Sequence, residues 1–343
     1  MTPLRERPAI RTSSWLHSGW TLPCICVTSL ILSLILVPSV GAGATGTLRT
    51  FVDPSAGYGF LDRAVLGARH TIDLSMYELE DATMEADLVA RARAGVDVRV
   101  LLDSEYGIKD VNAPAAAVLT RGGVHVAWAP SSQIFHAKYF VIDGSALYIG
   151  TGNLTAQYYS STRDFWVLDQ GRADVDAAST TFSADFSDRS APLSTGSGDL
   201  VWSPGSTNDL VSLIESARHT LLVENEEMDS STIEAALAAA ARRGVDVKVV
   251  MTYSSQWHSA LTELAAAGVH VHVLESNQVY IHAKVICADC SATAGRVFVG
   301  SENFSTSSLD YNRELGILTS ATSVVRPVEE AVSSDYAAGD SNY

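Results

Sequence analysis

An internal duplication constrains the possible folds of this 343-residue chain more than any other feature of its sequence. Residues 67–74, GARHTIDL, match residues 216–223, SARHTLLV, and residues 94–100, AGVDVRV, match residues 243–249, RGVDVKV. Both matches have the same separation of 149 residues. Repeated segments at a constant separation indicate two copies of one structural unit.

The hydrophobic pattern within each copy alternates between strands and helices. In the first copy we predict a strand at 71–76, a helix at 81–94 that ends at a glycine, and a second strand at 96–102. A further helix is predicted near 114–120, with Pro114 in its first turn, where a proline is tolerated. Strands that alternate with helices are typical of helices packed on a central sheet. The predicted fold is therefore α/β, a tandem pair of α/β/α sandwiches.

The repeat and the composition together divide the chain into four segments. They are a leader at 1–44, a first half at 45–190, a linker at 191–198 and a second half at 199–343. The linker consists mainly of small residues and a proline, which favour irregular structure. The leader has three arginines, an apolar run and a segment of small residues, which is the pattern of a secretory signal cleaved after Ala44. We therefore expect a secreted, extracellular protein, with an uncleaved membrane anchor as the alternative.

The charge of the chain favours some partners over others. It contains 39 Asp and Glu residues against 23 Lys and Arg residues, so its net charge is −16, or −18 once the three arginines and one glutamate of the leader are removed. Such an acidic surface repels polyanions, and the sequence has no stripe of Lys and Arg residues. Nucleic acid is therefore a less favoured partner than a phospholipid at a membrane or micelle surface.

Only two of the four cysteines, Cys287 and Cys290, lie outside the leader. In an exported protein this pair can form a short-loop disulfide, and free thiols are the alternative. A zinc site needs about four ligands, and no second cysteine pair is present beyond the leader. The cysteines therefore predict no metal site.

Each copy contains the motif His-x-Lys followed, five residues after the lysine, by Asp. The two motifs comprise His136, Lys138 and Asp143, and His282, Lys284 and Asp289. In an extended strand alternate side chains share one face, so the His and Lys of each motif are expected to project from one side. Four potential cations that converge on one cavity would bind a phosphate that gains negative charge during a reaction.

Two further elements follow each motif at matching positions. They are Asn153 and Asn303, in Gly-Thr-Gly-Asn and Gly-Ser-Glu-Asn, and the acids Asp164 and Glu314. The acid follows its histidine by 28 residues in the first copy and by 32 in the second, which has four extra residues at a hairpin tip. A carboxylate bonded to Nδ1 fixes the tautomer of an imidazole, so we predict that each acid orients the histidine of its own half. The lysines and asparagines would bind the phosphoryl oxygens.

Two such motifs, each followed by Gly-Ser/Thr-x-Asn and an acid, resemble the phospholipase D superfamily over residues 48–320. The resemblance implies two halves with pseudo-twofold symmetry, one active site shared by the halves of a monomer, and no metal or cofactor. It also implies a phosphohistidine intermediate, with His136 as the nucleophile and His282 as the acid and base, and structural roles for Asp143 and Asp289. The expected function is a secreted phosphodiesterase that hydrolyses phospholipid headgroups and leaves phosphatidic acid.

Several other functions are compatible with the same motifs. The same chemistry could serve a metal-independent endonuclease or a phosphatidyl transferase, and a protein that binds phosphate without catalysis is a third possibility. Tyr158, Tyr159 and Trp166 could line a headgroup pocket or pack in the core. The acidic run at 224–227 is interpreted as a solvated loop, with a position at the rim of the cleft as the alternative.

Overall fold

The structure is a computed structural model that describes residues 47–343 apart from 106, 190, 191, 276 and 342. The predicted leader at 1–44 and the first residue of the predicted linker lie outside the described residues. The strands of the first half are β1 (Leu48–Val52), β2 (Thr71–Met76), β3 (Leu79–Glu80), β4 (Asp97–Leu102), β5 (His125–Trp128), β6 (Tyr139–Ile142), β7 (Ala146–Gly150), β8 (Leu154–Thr155), β9 (Thr162–Arg163) and β10 (Phe165–Asp169). Its helices are α1 (Gly59–Gly67), α2 (Ala82–Arg93), α3 (Ile108–Gly122) and α4 (Arg172–Phe186), with a 3-10 turn at Ala156–Tyr158.

The second half repeats this order of elements. Its strands are β11 (Leu200–Ser203), β12 (Thr220–Asn225), β13 (Met228–Asp229), β14 (Asp246–Thr252), β15 (His270–Leu274), β16 (Tyr280–Ile281), β17 (Lys284–Ala288), β18 (Arg296–Gly300), β19 (Phe304–Ser305) and β20 (Glu314–Thr319). Its helices are α5 (Thr207–Ser216), α6 (Ser231–Arg242), α7 (His258–Ala266), α8 (Thr306–Asp310) and α9 (Thr322–Ala338).

Each half forms a seven-stranded sheet, and the two sheets have the same topology. The strand order is β1-β10-β7-β6-β2-β4-β5 in the first sheet and β11-β20-β18-β17-β12-β14-β15 in the second. The last three strands of each order run parallel, and the other neighbours run antiparallel. This equivalence confirms the tandem duplicated α/β fold.

The side chains of β6 show how the two halves are assembled. Tyr139 and Val141 face a core that lies between the two sheets, whereas Phe140 and Ile142 face the outer helices, as the period of two of a strand requires. The core between the sheets includes α4 and α9 and draws residues from both halves. Helices α1–α3 cover the outer face of the first sheet, and α5–α7 cover that of the second. The halves therefore share one continuous core.

The predicted helices are present, but their ends differ from the prediction in one instructive case. Helix α2 begins after Asp81, whose carboxylate accepts hydrogen bonds from the backbone N–H groups of Thr83 and Met84. The prediction that Pro114 lies in a first turn was wrong. Helix α3 begins six residues earlier, at Ile108, so Pro114 lies in its interior and cannot donate a hydrogen bond to the carbonyl of Asp110.

A disulfide distinguishes the second half from the first. Cys287, in β17, is bonded to Cys290 in the turn that follows, and both side chains are buried. The equivalent turn of the first half, Asp143–Ser145, has no cysteine. Among the described residues, no helix is both long enough and apolar enough to cross a bilayer.

Candidate active site

The histidine and lysine of each motif, together with the asparagine and the acid that follow the motif, lie at one edge of each sheet. In the first sheet β6 and β10 begin at this edge and β2 and β7 end at it, because antiparallel neighbours alternate in direction. Lys138 precedes β6, Asp164 precedes β10, and the Gly-Thr-Gly-Asn segment follows β7. His136 and Lys138 both precede β6, whereas Lys284 is the first residue of β17. The side chain of Lys138 folds back, and its Nζ donates to the carbonyl of His136 at 2.5 Å.

The acids are exchanged between the halves, which corrects the predicted pairing. Nδ1 of His136 lies 2.9 Å from Oε2 of Glu314, and Nδ1 of His282 lies 2.9 Å from Oδ1 of Asp164. The backbone explains the exchange. The N–H of His136 donates to the carbonyl of Arg313 at 2.9 Å, and the N–H of His282 donates to that of Arg163 at 3.2 Å. The acid that follows each arginine therefore reaches the histidine of the other half.

Each arginine also holds a helix of the other half. Arg163 forms an ion pair with Asp335 on α9 at 2.5 Å, and Arg313 forms an ion pair with Asp185 on α4 at 3.1 Å. These two pairs are equivalent under exchange of the halves. Each arginine directly precedes one of the exchanged acids. The two segments that join the halves are therefore also the segments that orient the histidines.

Both oxygens of the Glu314 carboxylate accept hydrogen bonds from neighbouring side chains. Oε2 accepts from the hydroxyl of Ser301 at 2.7 Å, and Oε1 accepts from Ser308 at 2.7 Å and Asn312 at 3.2 Å. Although burial opposes ionisation, His136 and Lys138 keep the pKa of Glu314 below its usual value. An ionised carboxylate can only accept, so Nδ1 of His136 is the donor and Nε2 carries the lone pair of the neutral ring.

The Asp164 carboxylate is held in an equivalent way. Its Oδ1 accepts from the hydroxyl of Thr151 at 2.6 Å, at the position that Ser301 occupies in the second half. Burial opposes its ionisation, but the charges of His282 and Lys284 lower the pKa of Asp164. The hydroxyl residue of each Gly-Ser/Thr-x-Asn segment thus orients an acid, a role that the sequence did not predict.

His136 is held as a neutral base. Burial lowers its pKa to about 4, even though the Glu314 carboxylate favours the charged ring. The ring of Tyr77 packs edge-on against the imidazole at a centroid distance of 4.6 Å. A neutral imidazole whose Nδ1–H is engaged has its nucleophilic lone pair on Nε2.

The two lysines are both fully buried but have different neighbours. Nζ of Lys138 lies 5.0 Å from the centre of the Tyr77 ring, a cation–π contact. Burial lowers the pKa of Lys138 to about 7, although Glu314 favours its charged form. Nζ of Lys284 forms an ion pair with Oε2 of Glu226 at 3.1 Å and donates to the carbonyl of His282.

The asparagines contact carboxylates at their side-chain nitrogens. Nδ2 of Asn153 donates to Glu78 at 3.2 Å, and Nδ2 of Asn303 donates to Glu227 at 3.0 Å. The two Oδ1 atoms are buried and have no hydrogen-bond partner among the described residues. Glu78 and Glu227 occupy equivalent places after β2 and β12, so the halves use the same contact.

The motif acids Asp143 and Asp289 lie outside the cavity that the histidines line. The Asp143 carboxylate accepts from the backbone N–H groups of Arg69, His70 and Thr71 at 2.7–3.1 Å. Asp289 binds the equivalent N–H groups of residues 218–220. Burial opposes ionisation of both acids, but the N–H groups lower their pKa. These contacts connect the end of β6 or β17 to the start of β2 or β12.

One cavity of about 600 Å³ collects residues from both halves. It is lined by His136, His282, Asn153, Asn303, Asp164, Glu78, Glu226, Glu227, Tyr58, Tyr77, Tyr158, Tyr159 and Tyr280, among others. Trp166 is buried in the outer core of the first half, so of the three aromatic residues singled out in the sequence only the two tyrosines line the cavity. Among the described residues, no group of three or more His, Cys, Asp and Glu side chains could hold a metal ion.

The interpretation of residues 224–227 as a solvated loop was wrong. Glu224 and Asn225 end β12, a central strand, and both are fully buried. Glu226 and Glu227 follow and contact Lys284 and Asn303. The separation of 149 residues aligns Tyr77 with Glu226 and Glu78 with Glu227, so the repeat contained the signal that these residues belong to the site.

Comparison with known proteins identifies a family with the same domain. The chain matches the family described as "Cardiolipin synthase, PLD-like domain" twice, at residues 61–186 and 210–336. It is 25% identical over 310 residues to cardiolipin synthase A of Klebsiella pneumoniae and 26% identical over 303 residues to that of Erwinia tasmaniensis. These alignments cover 75% and 73% of this chain, which spans 62% and 61% of the length of the two relatives.

Solved structures show the same fold at low sequence identity. Phosphatidylserine synthase of Haemophilus influenzae superposes with a TM-score of 0.64 at 11% identity, over 87% of this chain and 91% of that one. Polyphosphate kinase of Porphyromonas gingivalis superposes with a TM-score of 0.65 at 16% identity, over 84% of this chain and 50% of that one. Since the family matches cover most of both halves, the chain belongs to the phospholipase D superfamily as a tandem pair of cardiolipin synthase PLD-like domains.

Proposed function

We propose that this protein transfers the phosphatidyl group of a phospholipid to a hydroxyl acceptor through a covalent phosphohistidine. One observation carries the proposal: two imidazoles, each oriented by a buried carboxylate of the other half, line one cavity together with asparagines and adjoin two buried lysines. The names of the relatives support a phospholipid as the substrate and an alcohol as the preferred acceptor. Hydrolysis to phosphatidic acid is the same reaction with water as the acceptor.

The first step forms the intermediate. The Nε2 lone pair of His136 attacks phosphorus, the bond from phosphorus to the headgroup oxygen breaks, and His282 as an imidazolium gives its Nε2 proton to that oxygen. Lys138 and Lys284 stabilise the charge that accumulates on the phosphoryl oxygens. The headgroup alcohol leaves neutral, and the phosphatidyl group remains on His136.

The second step reverses the roles of the groups. Neutral His282 takes a proton from the acceptor hydroxyl, whose oxygen attacks phosphorus while the bond from phosphorus to Nε2 of His136 breaks. The products are a new phosphatidyl alcohol, or phosphatidic acid when water attacks. Both histidines regain their starting protonation states, so the cycle is balanced in protons and needs no oxidant or reductant.

The test is product analysis on vesicles of phosphatidylethanolamine and phosphatidylglycerol, with EDTA present and with glycerol as an added acceptor. We expect a phosphatidyl alcohol that increases with glycerol concentration at the expense of phosphatidic acid. Phosphatidic acid alone, at every glycerol concentration, would assign the protein as a hydrolase. Cleavage of plasmid DNA without any lipid product would overturn the proposal, an outcome that the carboxylates of Glu78, Glu226 and Glu227 in the cavity disfavour.

We also propose that residues 1–44 direct export. The disulfide between Cys287 and Cys290 supports this proposal, because disulfides persist in oxidising compartments and are rare in the cytosol. The test is expression of the full chain in bacteria, followed by fractionation and determination of the N-terminal residue. An N-terminus at Thr45 in the exported fraction is expected, whereas an intact leader in the membrane fraction would indicate an anchor.

A further inference from the structure

The two histidines have different surroundings at one pair of equivalent positions. Tyr77 follows β2 and Glu226 follows β12, and the separation of 149 residues makes them counterparts. Tyr77 gives His136 an uncharged edge-on contact, with ring centres 4.6 Å apart. Glu226 places Oε2 at 3.5 Å from Nε2 of His282. The chain therefore has an aromatic ring beside one imidazole and a carboxylate beside the other.

The carboxylate of Glu226 is held firmly in this position. Oε1 accepts from the hydroxyl of Tyr280 at 2.9 Å, and Oε2 forms the ion pair with Lys284 at 3.1 Å. Although burial opposes ionisation, Lys284 and His282 keep the pKa of Glu226 far below its usual value. The residue is thus a fixed negative charge, and no rearrangement is needed to bring it to His282.

His282 consequently has a carboxylate at each ring nitrogen. Nδ1 contacts Asp164 at 2.9 Å and Nε2 contacts Glu226 at 3.5 Å. Two acceptors suit an imidazolium, in which both nitrogens are donors. Among the described residues His136 has one carboxylate within ion-pair distance, Glu314 at Nδ1, and its Nε2 is left for attack on phosphorus.

We propose that Glu226 is the positioning residue that gives the two histidines different roles. Its carboxylate gives Nε2 of His282 an acceptor, so that this ring is arranged to donate a proton to the leaving oxygen, and Tyr77, its uncharged counterpart, leaves Nε2 of His136 without a carboxylate and available as the nucleophile. This inference rests on the proposed function and adds to it a cause for the division of roles in a site whose backbone is duplicated. If Glu226 and Tyr77 are exchanged, the two histidines should exchange their roles as well.

The decisive experiment locates the phosphatidyl group in the wild type and in the reciprocal variant Tyr77→Glu/Glu226→Tyr. Each protein reacts with a short-chain phosphatidyl-p-nitrophenol and is denatured in alkali, where phosphohistidine persists, before peptide mass spectrometry. We expect the group on His136 in the wild type and on His282 in the reciprocal variant. A label that stays on His136 in a folded reciprocal variant would overturn the inference, as would a wild-type label on His282.

A second measurement uses Glu226→Gln, which keeps the shape of the side chain and removes its charge. A poor leaving group needs a proton from a general acid, whereas a good leaving group does not. We therefore expect the rate to fall by about 10–100-fold with phosphatidylethanolamine and by less than about threefold with the p-nitrophenyl ester. Glu227→Gln is the matched control, because its carboxylate contacts Asn303 rather than His282. It should affect both substrates equally.

The outcomes separate this inference from the proposed function. If Glu226→Gln lowers the reaction rate equally with both substrates, Glu226 has a merely structural role and the inference is overturned. The phosphohistidine mechanism would still stand. Absence of any histidine adduct in the wild type, with either substrate, would overturn the proposed function and the inference with it. Glu226→Asp, which restores the charge, should recover part of the selective loss with phosphatidylethanolamine.

Discussion

The two halves of this protein have the same sheet and the same motif, yet they surround their catalytic groups differently. Lys138 lies over the ring of Tyr77 and has no ion-pair partner among the described residues, whereas Lys284 is paired with Glu226. Within the part of the chain that the structure describes, His136 has one carboxylate within ion-pair distance and His282 has two. Duplication supplies a symmetric set of positions, and a few substitutions turn it into a site whose two sides can perform different steps.

Replacement of the histidines is expected to give the largest effects and to test the division of roles directly. His136→Asn and His282→Asn should each lower turnover of phosphatidylethanolamine by about 10³-fold or more, because each removes a group that makes or protonates a bond. They should differ with a p-nitrophenyl ester, whose leaving group needs no proton. His282→Asn should release about one equivalent of p-nitrophenolate in a burst, and His136→Asn should release none.

The lysines should reveal the same asymmetry with smaller effects. Lys138→Met and Lys284→Met each remove a charge that stabilises the transition state, at a cost of about 10²–10³-fold in kcat/KM for the p-nitrophenyl ester. Lys284→Met should be the more harmful, since it leaves the carboxylate of Glu226 without its counter-ion beside the phosphate. Adding Glu226→Gln should recover about tenfold in Lys284→Met and nothing in Lys138→Met, a coupling that a double-mutant cycle measures.

The exchanged acids predict which histidine each of them serves. Glu314→Gln should slow the attack by His136 by about 10–100-fold with every leaving group, because it removes the negative charge of the carboxylate that accepts from Nδ1–H and replaces one acceptor oxygen by a donor. Asp164→Asn should act through His282 and slow phosphatidylethanolamine more than the p-nitrophenyl ester. The reverse pattern of leaving-group dependence would mean that each acid serves the histidine of its own half in solution.

The sequence predicted which residues belong to the site, but it did not predict which acid is hydrogen-bonded to which histidine. The equal spacing of Asp164 and Glu314 after their histidines identified them as equivalent, because distance along the chain is preserved between copies. Spacing within one half contains no information about the other half. The exchange depends on the backbone hydrogen bonds of His136 and His282 to Arg313 and Arg163, contacts between segments more than 110 residues apart in sequence. Only a three-dimensional structure can supply them.

Residue charge was the main source of error in the rest of the prediction. The run Glu224–Glu227 contains three carboxylates in four residues, and such a run is solvated in most proteins. Here its position is set by β12, a central strand whose end is buried between its neighbours, and tertiary structure overrides local polarity. The strand at 71–76 was predicted with its observed ends because an apolar run bounded by turns is a local signal.

The last difference between the halves concerns stability. Asp53 and Ser203 each precede a proline at the end of the first strand of their sheets. The hydroxyl of Ser203 donates to the carbonyl of Ser308, but neither carboxylate oxygen of Asp53 has a hydrogen-bond partner among the described residues. Burial, together with the charge of Asp164, raises the pKa of Asp53 from 3.8 to about 7.

Asp53→Asn should therefore stabilise the protein by an amount that depends on pH. An acid whose pKa is raised by folding binds its proton more tightly in the folded state, so the wild type loses stability as pH rises from about 4 to about 7 and loses no more above that range. The full rise in pKa corresponds to at most about 4 kcal/mol. The amide of the variant cannot ionise, so urea unfolding should give a difference between variant and wild type that grows across this range. A difference that stays constant from pH 4 to pH 8 would mean that the Asp53 carboxylate finds a partner in solution and that the halves do not differ at this position.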